Sequence, residues 1–295
     1  MKSRKPFKIH LYKVQADKDS AALDELLEAI SETDLAERTR KLGTQPYRLE
    51  EVHKPTKDTP YWLADFTKVR YDGGPGKASE GTPVESFEMA GGFGFAEETA
   101  MLYDPKTGCV VMQYNHYGPR AQSISDYLSV FDLGQPNSYQ FLLQLNAAAQ
   151  ARLKSKTIFT RLKIRIAPAK LSGEFRKANV ALVTALESQA TLVGGDFVIV
   201  EVGLERESKG SLKLKKFLPN FIKMANEEPE AVSALTISAR DDVDQPIDPV
   251  DLINERLETV IRDMPLDAGL RYPTQDRYKA LRRAHIGWIK DGNIA

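Results

Sequence analysis

The order of apolar and polar positions divides the chain into short strands and amphipathic helices. Phe7 to Val14 alternates and predicts a first strand. From Ser20, Leu23, Leu26, Leu27 and Ile30 recur at helical spacing, with Ser20 as the expected cap. Tyr47 to His53 and Tyr61 to Val69 predict two more strands, and a polar, glycine-rich loop runs from Tyr71 to Pro83. Thr99 to Tyr103 and Cys109 to Asn115 flank Asp104-Pro105-Lys106-Thr107-Gly108. That run predicts a hairpin whose turn opens on Asp-Pro and takes its positive φ at Gly108. A short helix capped by Ser123 or Ser125 runs through Phe131.

Strands and helices then alternate. Strands are predicted at Ile158 to Ile166, Phe197 to Val202 and Val232 to Arg240. Helices are predicted at Gly173 to Ala190, Leu212 to Ala225, Pro249 to Arg262 and Thr274 to Asp291. The strands are few and much of the first half is hairpin. The pattern therefore predicts an α+β protein of two domains, each a mostly antiparallel sheet with helices packed on it. Residues 1–135 hold the hairpin at 99–115; residues 136–295 hold the strand at 158–166 and the C-terminal helix at 274–291.

Composition changes this picture little; the placement of charge changes it more. Basic and acidic residues number 41 each, so the chain is neutral overall. Yet Arg152 to Lys177 is basic apart from Glu174, Glu227 to Asp267 is mostly acidic, and Arg271 to Lys290 is basic again. Binding to a polyanion follows local potential, so neutrality does not exclude it. No apolar run approaches the roughly 20 residues of a membrane span, and the basic N-terminus lacks a signal-peptide core. A cytoplasmic protein without membrane insertion is expected. Cys109 is the one cysteine, so no internal disulfide or multi-cysteine zinc site can form.

The candidate chemistry begins with the strand 158–166. Period two puts Ile158, Thr160, Leu162, Ile164 and Ile166 on one face and Phe159, Arg161, Lys163 and Arg165 on the other. The three cations repeat at about 6.6 Å and suit a phosphate backbone. A solvated outer face is the alternative reading of that strand. Lys213, Lys215 and Lys216 add a second basic element, and Arg282 and Arg283 on the last helix a third. That helix should bury Tyr278, Leu281, His285 and Trp288.

The acids Asp241, Asp242, Asp244, Asp248 and Asp251 suit helix capping, a metal, or a cover over the basic surface; the calcium-loop spacing is absent. Asp196 and Glu201 on one strand suggest a nuclease, but Gly203 stands where such enzymes place a lysine. Glu97, Glu98 and His116 make a weak acid–base set, Cys109 reads as a buried thiol, and Gly91 to Gly94 lacks the lysine of a phosphate loop. No catalytic constellation, metal site or cofactor is expected. A nuclease and a protein-interaction scaffold remain the alternatives to DNA binding.

Three runs carry a family resemblance: Gly92-Phe93-Gly94-Phe95-Ala96-Glu97-Glu98, then Tyr117-Gly118-Pro119-Arg120 with Ser123 to Leu128, and Leu235 to Asp242. Their order resembles the RexA family of phage-exclusion proteins from temperate phages. The resemblance implies a cytoplasmic homodimer that binds double-stranded DNA without sequence preference, has an RdgC-like fold and is not an enzyme. It also implies a membrane-protein partner encoded nearby. The family ties a strand ending in Arg-x-Lys to DNA; here the arginine is Arg240 and the lysine position is Asp242.

Overall fold

A computed structural model of the chain describes residues 6–133, 138–205, 208, 210–214, 221–222, 224–225, 227–228, 230–242 and 244–294. The protein is α+β, with antiparallel sheets and helices packed on them. It divides into two compact units, residues 1–141 with 258–295, and residues 142–257.

The first unit is built on an eight-stranded antiparallel sheet. Its strands are β1 (Phe7–Ala16), β2 (Arg40–Leu42), β3 (Gln45–His53), β4 (Trp62–Arg70), β7 (Phe95–Asp104), β8 (Cys109–Tyr114), β9 (Tyr139–Leu143) and β14 (Glu258–Ile261). The order is β14-β1-β8-β7-β4-β3-β2, with β9 also paired to β1. A separate small hairpin, β5 (Lys77–Ser79) and β6 (Thr82–Glu85), starts in the loop predicted from Tyr71 to Pro83 and runs two residues past it. The β7–β8 hairpin turns as expected, with Gly108 at φ 59°.

Helix α1 (Leu23–Ser31) buries Leu23, Leu26, Leu27 and Ile30. It starts later than Ser20: Ala22 is the cap residue, and its N–H donates to the Glu25 carboxylate at 3.4 Å. Helix α2 (Ala121–Leu133) is pinned by Tyr127, whose hydroxyl accepts from Leu49 N at 3.2 Å and donates to Arg38 O at 2.7 Å.

The C-terminal helix (Thr274–Lys290), α6 below, packs on β7 and β8. Its buried stripe includes the four residues that the spacing predicts, Tyr278, Leu281, His285 and Trp288. Buried Arg277 stands beside them, which the spacing did not predict. Arg277 donates to both oxygens of buried Asp65 on β4, at 2.8 and 2.6 Å, and reaches Glu98 at 3.2 Å. Arg271 also pairs with Glu98.

The second unit is a four-stranded antiparallel sheet, β11 (Val198–Gly203), β10 (Ile158–Ile166), β12 (Val232–Arg240) and β13 (Asp248–Asp251), in that order. Its described elements include the helices α3 (Ala147–Ser155), α4 (Gly173–Ala178) and α5 (Val180–Val193) and a 3-10 turn at Pro168–Lys170. The predicted helix from Gly173 to Ala190 is thus two, separated at Asn179, and the second ends on Gly194 at φ 67°. Phe159, Leu162, Ile164, Ile166, Leu235, Ile237, Val183 and Leu186 meet in its core. Most of the helix expected from Leu212 to Ala225 lies outside the described residues.

Two expectations are corrected. Pro249 to Arg262 is not a helix: Asp248–Asp251 forms the edge strand β13, and Glu258–Ile261 forms β14. An edge strand tolerates Pro249, and the Asp251 carboxylate then accepts from Ile253 N at 3.0 Å and Asn254 N at 3.2 Å, which closes a turn. The chain also does not divide once near residue 136. The strand pairing of β14 with β1 and the packing of α6 on β7 and β8 return residues 258–295 to the first unit.

Candidate nucleic-acid interface

The basic strand β10 is central in its sheet, between β11 and β12. Its alternation has a fault that the sequence pattern misses. Phe159 pairs with Ala239 and Arg161 with Ser238, so Thr160 is an extra residue in a β-bulge. The bulge shifts the alternation by one position. Phe159 therefore points inward and is buried in the core, not outward beside the cations. Ile158 shares the parity of Arg240, its partner on β12. Beyond the bulge the predicted faces hold: Leu162, Ile164 and Ile166 are core, and Arg161, Lys163 and Arg165 lie on the outer face.

The register fixes what surrounds each cation. Arg161 stands between Gly203 on β11 and Ser238 on β12. Lys163 stands between Glu201 and Thr236, and Arg165 between Ile199 and Ala234. Arg161 and Lys163 are exposed, and Arg165 is half-buried. Arg161 forms an ion pair with Glu201 at 3.1 Å. Both partners are well exposed, so the pair contributes at most about 1 kcal/mol and an incoming anion can compete for the guanidinium. Arg165 is held more firmly. Its guanidinium lies 3.7 Å from the Phe197 ring centroid and donates to Ser233 Oγ at 2.8 Å. Phe197 and Ser233 were not singled out from sequence; their roles depend on strand pairing.

Two further predicted cations join this sheet. Arg240 ends β12 opposite Ile158, and its Nη2 donates to Ser208 O at 3.4 Å. Leu212 N donates to Phe159 O at 2.8 Å, so exposed Lys213 follows directly beside the start of β10. Arg161, Lys163, Arg165, Lys213 and Arg240 are thus associated with one sheet. Lys215 and Lys216 lie outside the described residues. Arg282 and Arg283 belong to α6 in the first unit and are not part of this sheet. Arg282 lies 5.9 Å from the Tyr61 ring centroid, and Arg283 is exposed.

The acidic block has partners in its own unit. Asp248 pairs with Arg152 at 2.7 Å and Lys156 at 3.4 Å, Asp241 with Lys156 at 3.3 Å, and Glu255 with Arg152 at 2.9 Å. The Arg152 hydrogen bond is the largest of the influences that hold the Asp248 carboxyl below its ordinary range. Capping of a helix at Pro249 is ruled out as the use of Asp248 and Asp251, because the chain there is strand and turn. Arg152 and Lys156, both in the basic block, are the cations that these acids neutralise.

The other candidates have structural surroundings. Glu98 is bound to Arg271 and Arg277, and Glu97 lies 4.0 Å from Arg70. Arg120 Nη2 lies 3.4 Å from His116 Nδ1. Cys109 is buried, and burial pushes its thiol up. Among the described residues, no three His, Cys, Asp or Glu side chains gather as a metal ion would require.

The fold and this face define an α+β protein with a two-layer unit whose sheet carries a row of cations opposite its core. The chain belongs to DUF6731, a family of unknown function, whose profile matches residues 9–272. No curated protein matches it. Among the described residues, no helix is long and apolar enough to cross a membrane.

Proposed function

We propose that this protein binds double-stranded DNA without sequence preference, through the outer face of the β11-β10-β12-β13 sheet. The observation that carries the reading is the row Arg161, Lys163 and Arg165 on the central strand, facing away from the core. Their pitch of about 6.6 Å is close to two 3.4 Å steps along one DNA strand. Arg240 and Lys213 extend the positive potential at the start of β10. Contacts of this kind address phosphates, which carry no base identity.

The sequence resemblance to RexA-like phage-exclusion proteins gives the activity a setting in phage exclusion or anti-phage defence, in the cytoplasm, with a membrane-protein partner encoded nearby. In that setting Arg282, Arg283, Lys215 and Lys216 are secondary phosphate contacts. The test is fluorescence anisotropy with labelled duplexes of unrelated sequence over a salt series. Similar affinities for the duplexes, falling steeply with salt, support the reading. No binding at about 50 mM salt, where phosphate contacts are strongest, refutes it.

A further inference from the structure

Strand β11 is an edge of its sheet, and among the described residues no strand pairs with its other side. Edge strands are usually blunted by lysine, proline or a bulge. Val198–Gly203 has none of these in its sequence or in its pairing with β10; Glu201 is its one charge. Phe197, Ile199, Val200 and Val202 are all exposed, from 38% to 48%. We propose that this edge pairs with the same edge of a second copy of the chain, antiparallel and centred on Val200.

The backbone limits the register to axes centred on a residue. Leu204 N donates to Thr160 O at 2.9 Å, so the amide at 204 points toward β10. By strand alternation, the amides of Val202, Val200 and Val198 point the same way, and those of Ile199, Glu201 and Gly203 point out from the edge. An axis on Val200 sets Ile199 opposite the second copy's Glu201, and Phe197 opposite its Gly203. Each outward N–H and C=O then meets an outward partner. An axis on Glu201 would instead oppose two like charges, which is destabilising.

Side chains agree with this choice. Val198 falls opposite the second copy's Val202 and Val200 opposite itself, so three β-branched positions line one face of the seam. Phe197 covers the position where Gly203 has no side chain. On the other face each Glu201 lies between Lys163 of its own copy, its neighbour in register, and Ile199 of the second copy, with Arg165 of that copy one strand beyond. The twofold axis runs normal to the sheet. Both copies of the Arg161, Lys163 and Arg165 row therefore face the same side.

Sedimentation and cysteine cross-linking test the seam. The wild-type chain should sediment at twice the monomer mass at roughly 0.1 mM, where association of micromolar Kd is nearly complete. Val200→Cys should form an intermolecular disulfide, because directly opposed residues of a non-hydrogen-bonded pair have Cα atoms about 4.5 Å apart. Ile199→Cys should not, being displaced from its own copy by two residues on each strand. Ile199→Pro removes an outward amide and leaves the β10 ladder intact, so it should sediment as a monomer with an unchanged circular-dichroism spectrum. A monomeric wild type, a dimer without the Val200→Cys cross-link, or a folded Ile199→Pro dimer overturns the proposal.

Discussion

Arg277 and Asp65 are 212 residues apart in sequence and meet through two hydrogen bonds, at 2.8 and 2.6 Å, with both side chains buried. The pair fastens α6 to β4, and Glu98 and Thr274 Oγ1 accept further bonds from the same guanidinium. Losing the cation leaves a buried carboxylate without compensation. Arg277→Met should therefore cost about 3–5 kcal/mol. Arg277→Met with Asp65→Leu should cost much less, because no lone charge remains. Urea unfolding of the two variants measures the difference.

Asp65 also gives the stability a pH dependence. Burial pushes its carboxyl up to about 6, against the opposing influence of Arg277. The folded chain then holds this proton more tightly than the unfolded chain, whose carboxyl titrates near 4. The contribution is fully present below about pH 4 and is lost as pH rises through about 6, a change of about 3 kcal/mol. Unfolding free energies of the wild type relative to Asp65→Asn should fall over that window. A rise would show that ion pairing outweighs burial.

His285 works in the other direction. Its Nε2 lies 3.0 Å from Asp104 Oδ2, and Tyr61 meets the ring edge-on. Burial lowers the imidazole pKa, and Asp104 only partly opposes that shift. The unfolded chain therefore takes up this proton first on acidification. The contribution of His285 is present above about pH 6.5 and is lost as pH falls. Wild type compared with His285→Gln should lose relative stability between about pH 7 and pH 5, measured by the same unfolding series.

The bulge at Thr160 separates neighbours on one strand by energy. Phe159→Ala empties a core site and should cost about 3–5 kcal/mol. Lys163→Ala, on the open face, should change stability by no more than about 0.5 kcal/mol. Were Phe159 on the basic face, the first cost would be small, so thermal unfolding of both variants decides the face.

The same strand carries the DNA prediction. Arg161→Ala, Lys163→Ala and Arg165→Ala together should reduce the slope of log affinity against log salt by about 2.7, if each cation neutralises one phosphate. Glu201→Gln should tighten binding at low salt, because it frees Arg161 from its 3.1 Å partner. Anisotropy titrations measure both; an unaltered slope in the triple variant would clear this strand of the role.

Local signals made part of this legible. The limits of β10 and β12 follow from their alternation, and the buried stripe of α6 follows from its spacing. The turn at Gly108 follows from its sequence. What could not be read depended on pairing between distant residues. The bulge exists only against β12, so nothing local marks Phe159 as core. Asp248–Asp251 has a helical start signal in Pro249, yet Val250 and Leu252 find buried sites beside β12 and the strand forms instead. Arg277 lies within the basic stretch Arg271 to Lys290, and its burial depends on Asp65, a partner 212 residues away on β4. In the candidate site, the cations were visible in sequence, but the Phe197 ring and the Ser233 hydroxyl that hold Arg165 were not.

Gln144 to Asn146 and Glu255 to Leu257 are hydrogen-bonded to each other, through Leu257 N to Gln144 O at 2.9 Å and Asn146 N to Glu255 O at 2.8 Å. The second unit therefore begins and ends at one place. Its two ends are already joined non-covalently, so lifting it out leaves a gap that a few residues can bridge, at small loop-closure entropy. Such an arrangement lets the cation-bearing sheet change by insertion, loss or exchange while the sheet that receives it keeps its own strand order.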